Sequence, residues 1–184
     1  VPTRLLDFTE SPYVALYFGL EAYAYKAAKD LSIFAVDWGA LRKKSMAIVS
    51  NADRDFRQAS SLSGMNEDEI FEKHIDPSER DIIWVAEPTR LNARLDRQSG
   101  SFLLSGNRGK RIEELIFSEQ YTDVPIDKIV IPGRLFEAAY ALLRRMNINS
   151  KSLYGDLHGL GREILLMMKV YAIPGSGSRG PQPQ

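Results

Sequence analysis

The sequence predicts an α+β fold: a mixed or antiparallel central sheet with flanking helices. Two observations carry that expectation. Stretches of strand character and stretches of helical character mingle along the chain without strict βαβ alternation and without an internal repeat. The 184 residues, 44% hydrophobic and 26% charged, also suffice for the core of one ordinary globular domain, expected over residues 1–173.

The elements follow in order. Leu5, Leu6 and Phe8 read as a buried strand. The Ser11-Pro12 step after it is a helix start, with Ser11 as N-cap and Pro12 at the first helical position, where a missing N–H costs nothing. The helix expected over residues 12–29 is apolar on most sides and should lie against the sheet. LSIFAVDW (31–38) predicts a buried strand, followed by a short helical turn around residues 39–44. Residues 45–65 show weak periodicity and several Ser, Asn and Asp, so they read as a loop or insertion holding one helical turn. NEDEIFEKHI (66–75) predicts a short helix with acids in its first turn, and DIIWVAEP (81–88) a strand ending at Pro88. Phe102 to Leu104 reads as a further strand. RIEELIFSE (111–119) fits helical spacing through Ile112, Leu115 and Ile116, though IEELIF could also pair as a strand. DKIVIPG (127–133) reads as a buried strand. Residues 134–147 predict an amphipathic helix with Leu135, Ala138, Ala139, Leu142 and Leu143 on one side, and a last helix runs from about Asp156 to Tyr171. The Gly/Ser/Pro/Gln tail, 174–184, cannot repay ordering entropy and is expected to be disordered.

Composition narrows the function classes. Lysine plus arginine equals aspartate plus glutamate at 24 each, so no overall field draws the protein to nucleic acid or anionic lipid. With no cysteine, disulfides, thiolate nucleophiles and most structural zinc sites are removed together, which agrees with a cytoplasmic location. His74 and His158 are too few and too far apart in sequence for a metal motif, and no metal is expected. No run approaches the roughly 18 apolar residues of a membrane helix, so no membrane partner is expected. The chain starts on Val rather than Met, which hints at a fragment.

Three stretches together resemble the FRG domain, a bacterial and phage family named for a Phe-Arg-Gly motif: PTRLLDFTESPYVALYF (2–18), NARLDRQSGSFLL (92–104), and IDKIVIPG (126–133) continuing through NINSKSLYGDLHGLGREI (147–164). The naming motif is absent here. The resemblance therefore implies the C-terminal two-thirds of such a domain. LLDFTESPYVALYF also resembles the strand-to-helix segment of the ADP-ribosyltransferase fold, in which a strand ending in Ser/Thr runs into an Ala-x-x-Phe helix. Where that fold places a catalytic glutamate, this chain offers Gln98, Ser99 and Ser101.

That likeness implies a nucleotide ligand of the NAD class. Transfer from NAD passes through an oxocarbenium-like ribose, which needs a carboxylate near the sugar, cationic or N–H donors on the pyrophosphate, and an aromatic wall. On this reading Arg4 meets the pyrophosphate and Thr9 the ribose or amide, while Tyr13 or Tyr17 stacks; Asp7, Asn92 and Arg94 line the same site, and Glu87 and Gln98 stand as catalytic candidates. Against it stand plainer roles: an ion-paired Arg4 and Asp7, and Thr9 and Ser11 as caps. The alternative function is a non-catalytic interaction or nucleic-acid-sensing module, with the basic stretch NRGKR (107–111) contacting phosphates.

Overall fold

The computed structural model describes residues 4–22, 29–60, 67–86 and 93–171. The elements run β1 (Leu5–Thr9), α1 (Pro12–Ala22), β2 (Leu31–Val36), α2 (Trp38–Ala52), α3 (Arg54–Ser60), α4 (Glu67–Ile70), β3 (Ile83–Ala86), α5 (Ala93–Gln98), β4 (Gly100–Ser105), α6 (Ile112–Ile116), β5 (Ile126–Ile131), α7 (Phe136–Arg145), α8 (Ser150–Tyr154) and α9 (Leu157–Tyr171). β4 is central to a three-stranded sheet, antiparallel to β1 on one side and β3 on the other, while β2 and β5 form a two-stranded sheet. The fold class is α+β, with helices around small sheets.

The chain divides into two units. The first comprises Val1–Glu10, Phe34–Leu91 and Ser99–Ile129. Its organising element is β3, whose alternating side chains are buried on both faces. Ile83 and Val85 pack with Leu103, Leu41, Ile112, Leu115 and Tyr121, whereas Ile82 and Trp84 pack with Val49, Phe56, Ile70 and Ile75. The second unit comprises Ser11–Ile33, Asn92–Gln98 and Val130–Gln184. Here Val14, Tyr17 and Leu20 of α1 pack with Phe136, Tyr140 and Leu143 of α7, and with Leu153, Tyr154 and Leu166. Ser11 caps α1 as its position predicts, since its hydroxyl accepts from the Val14 amide at 3.4 Å.

Several expectations need correction. β1 and β2 are strands, but neither holds a buried residue, with Leu5 and Phe34 exposed, and α1 packs chiefly on α7, α8 and α9 rather than on a sheet. Residues 45–65 are not a loop: α2 runs unbroken to Ala52 and α3 follows to Ser60, with 61–66 outside the described residues. The buried stripe of α2 is Leu41, Ser45 and Val49. Ser45 hides that stripe from a hydrophobic count, yet it is compatible with burial because its hydroxyl donates to the Ile83 carbonyl at 2.5 Å and bonds the Tyr121 hydroxyl at 3.0 Å. The helix expected over 66–75 is α4 followed by a π-helical turn, Phe71–Ile75, and a 3-10 turn, Asp76–Ser78, that accommodates Pro77. β5 is a strand, but Asp127 to Val130 are exposed, because a two-stranded ladder leaves it without the neighbours of a central strand. In α7 the buried side chains are Phe136, Tyr140 and Leu143, while Leu135 and Leu142 are exposed. The larger aromatic faces win that orientation, Tyr140 being admitted because its hydroxyl has a partner.

The expected continuation of α1 through 23–28 and the tail 174–184 lie outside the described residues.

Candidate functional site

Polar groups are concentrated in the interior of the second unit. The stripe Gly159, Glu163 and Leu166 forms the inward face of α9, so a carboxylate is carried into the core. A Cβ on Gly159 would stand 2.6 Å from the Ser150 carbonyl oxygen and 2.8 Å from the Tyr154 Cβ. Only glycine therefore lets α9 cross α8 at backbone contact, and that approach brings Glu163 to the start of α8. There Glu163 Oε2 accepts the Ser150 amide at 3.1 Å and Oε1 accepts the Tyr140 hydroxyl at 2.9 Å, with Arg144 Nε 3.6 Å away. A buried carboxylate survives only where donors replace its water, and the tyrosine and the amide do so, with the nearby Arg144 charge in support.

The network continues toward the surface. The Ser150 hydroxyl hydrogen-bonds the Tyr17 hydroxyl, which donates to Glu21 Oε1 at 3.4 Å. The second oxygen of Glu21 accepts from the Tyr154 hydroxyl at 2.7 Å and from Arg162 Nη1 at 3.0 Å; Arg162 also donates to the Tyr154 phenol oxygen at 2.9 Å. Burial pushes the Tyr17 phenol well above its ordinary value, and burial together with the Glu21 bond pushes Tyr154 up to about 12. Both phenols stay neutral at physiological pH and act as donors to carboxylates.

At the end of this network three guanidiniums meet at Tyr154. The Arg94 and Arg162 carbons lie 4.9 Å and 4.8 Å from its ring centroid, and Arg97 Nη1 donates to its carbonyl at 3.4 Å. Gln98 donates to the neighbouring Leu153 carbonyl at 3.3 Å. The last carbonyls of α8 lack intrahelical donors, and α5 supplies them. Gly155 makes the approach feasible in two ways. It takes a left-handed φ of 72°, and a Cβ there would fall 1.5 Å from Arg97 Nη1. The result is a cation-rich aromatic platform, suited chemically to an anion bearing a flat ring.

The residues expected at the site are distributed as follows. Arg94 and Gln98 are brought together on α5 against α8, and Tyr13 is exposed on α1, all in the second unit. Gln98 is buried, its amide engaged by backbone. Arg4, Asp7 and Thr9 belong to the first unit. Arg4 does not pair with Asp7: its Nε and Nη2 donate to the Ser105 carbonyl at 3.0 Å and 2.7 Å, and its Nη1 to Asp76 at 2.7 Å, an arrangement that straps β1 to β4 and to the 3-10 turn. Asp7 is exposed opposite Phe102, and Thr9 sits opposite Gly100. Glu87 and Asn92 lie outside the described residues. The basic run 107–111 is matched by acids, since Arg108 bonds Asp76 at 3.0 Å, Lys110 bonds Asp81 at 2.5 Å and Arg111 stands 3.6 Å from Glu114.

Sequence reasoning missed Arg97, Tyr154, Arg162 and the two glutamates. The signal for Glu163 was present, as a charge four residues after Gly159 on an otherwise inward stripe; Glu21 and Arg162 give no such sign, being paired across 141 residues of sequence. Among the described residues no group of three or more His, Cys, Asp or Glu could hold a metal ion, and no helix is long and apolar enough to cross a membrane. No curated protein and no solved structure matches the chain at a significant level. The family model of the FRG domain matches residues 1–28, which takes in the first resembling stretch and neither of the other two.

Proposed function

We propose that this chain is an FRG-type domain whose second unit binds a phosphate-bearing nucleotide of the NAD class. One observation carries the reading: Arg94, Arg97 and Arg162 gather at Tyr154, with Glu21 the carboxylate that joins them there. Guanidiniums match phosphate oxygens in a planar, bidentate manner, and the aromatic ring beneath them supports stacking. Arg94 is the ligand contact, Arg97 and Arg162 supply charge, and Gln98 with Gly155 holds α5 in register on α8. Arg4, in the first unit, acts as a strap rather than a ligand.

The reading stops at binding. Transfer of ADP-ribose would call for a carboxylate turned to the ribose, and Glu21 and Glu163 are each held by internal tyrosine, arginine or amide donors. The pairing of the 107–111 run with Asp76, Asp81 and Glu114 favours nucleotide binding over phosphate contacts by that run. The absence of cysteine agrees with the cytoplasm, where NAD is available.

The test is a thermal shift of the full chain with NAD, ADP-ribose and ADP. A ligand at a hundred times its Kd adds about 2.7 kcal/mol to stability. At least one of the three should raise the melting temperature, and Arg94→Ala should abolish the rise. A protein unmoved by all three, or a shift preserved in Arg94→Ala, overturns the proposal.

A further inference from the structure

The first unit carries aromatic rings that do not enter its core. Phe34 is 44% exposed, Trp38 47% and Phe117 62%. Phe34 and Phe117 meet edge to face at 6.1 Å. Four steps of chain, at no more than about 3.6 Å each, lead from Phe34 to Trp38, so their Cα atoms lie within about 14 Å of one another. Cations attend these rings: Lys128 Nζ is 5.8 Å from the Phe34 centroid, and the Arg42 guanidinium carbon is 5.9 Å from that of Trp38. α2 then continues the charge, with Arg42, Lys43 and Lys44 in succession and no acid within the helix. Lys44 pairs with Asp123 at 2.7 Å, and the neighbouring Asp37 carboxylate is engaged by the Ala40 amide at 2.9 Å.

We infer that this face binds single-stranded nucleic acid, with bases stacking on Phe34, Phe117 and Trp38 and phosphates meeting Arg42, Lys43 and Lys128. Exposed rings interleaved with cations are what an unpaired strand recognises, since each base offers a π-face and each linkage a negative charge. A purely apolar protein partner would bury the Lys43 and Lys128 charges against hydrocarbon. A duplex would keep its bases stacked on one another and out of reach of the rings. The surface is distinct from the basic run at 107–111, and the proposal is independent of the nucleotide site.

Trp38 supplies the readout, because Trp84, the other tryptophan, is 4% exposed. The full chain is titrated with a 15-nucleotide oligothymidine, the same length as duplex, and heparin, following tryptophan fluorescence and, for variants, anisotropy of the labelled strand. Expected are quenching by the single strand, weak binding of the duplex, at least about a fivefold loss of affinity in Phe117→Ala and in Trp38→Ala, and a salt slope smaller by about 0.7 in Lys43→Gln. Thermal melts confirm that these exposed substitutions leave the fold intact. Absence of binding at low salt, equal binding of duplex or heparin, or affinity unchanged by Phe117→Ala and Trp38→Ala would each overturn the proposal.

Discussion

Replacing Glu163 by alanine would remove the acceptor on which the interior of the second unit depends. Two buried donors, the Tyr140 hydroxyl and the Ser150 amide, would lose their partners. Each such orphan costs about 1–3 kcal/mol, so the substitution should destabilise the protein by about 2–6 kcal/mol. That is a large share of the ~5–15 kcal/mol typical of a folded protein. Arg144, more exposed, adds little. Urea unfolding followed by far-UV circular dichroism is the assay, because Trp38 and Trp84 both lie in the first unit and report on it instead. Tyr140→Phe supplies the control. It removes one of the two donors in advance, so the double variant should be less destabilised than the sum of the singles, by about 0.5–3 kcal/mol. A loss under about 1 kcal/mol in Glu163→Ala, or strict additivity with Tyr140→Phe, would refute the assignment of Glu163 as the buried acceptor.

Two glycines on α9 should respond in opposite directions in thermal melts. Gly159→Ala meets the Ser150 carbonyl and Tyr154 and should cost about 1–3 kcal/mol, whereas Gly161→Ala, with nothing within 4 Å of its added Cβ, should gain up to about 1 kcal/mol of helix propensity. In the first unit, Tyr121→Phe removes the acceptor of the buried Ile83 amide at 2.8 Å, and Trp84 fluorescence in urea should record a loss of about 1–3 kcal/mol. Acid should weaken the fold at four aspartates. The Arg4 bond lowers the Asp76 pKa, the His74 bond lowers Asp53, and lysine bonds lower Asp81 and Asp123. Carboxyl groups depressed in the folded state contribute stability above their unfolded value near 4, and that contribution fades as pH falls below it. The melting temperature should therefore decline below about pH 4, with a shallower decline in Asp76→Asn.

Much of the fold was legible in the sequence because periodicity and caps are local. The Ser11-Pro12 start of α1, the strand character of 83–86 and 100–105, and the run of α9 all follow from short patterns. Failures arose where a side chain's environment is set by distant sequence. Ser45 reads as a polar interruption until Ile83 and Tyr121 are seen to satisfy it, and the expected inward face of α7 holds for Leu143 but omits Tyr140, whose burial needs Glu163. The same rule governs the site. The likeness points to Arg94, but its partner Tyr154 lies on α8, a five-residue helix with no periodicity to reveal it. Arg4 is ion-paired as its plainer role expects, but with Asp76 and the Ser105 carbonyl rather than with Asp7.

Hydrogen exchange of the full chain with and without ADP-ribose tests the central claim most directly, since it locates the ligand instead of merely detecting it. Backbone amides of α5 and of α8 through Gly155 should exchange more slowly when the ligand is bound, and that protection should vanish in Arg94→Ala. Protection confined to β1 or to residues 107–111, or exchange at α5 and α8 indifferent to ligand, would contradict a nucleotide site built on Tyr154.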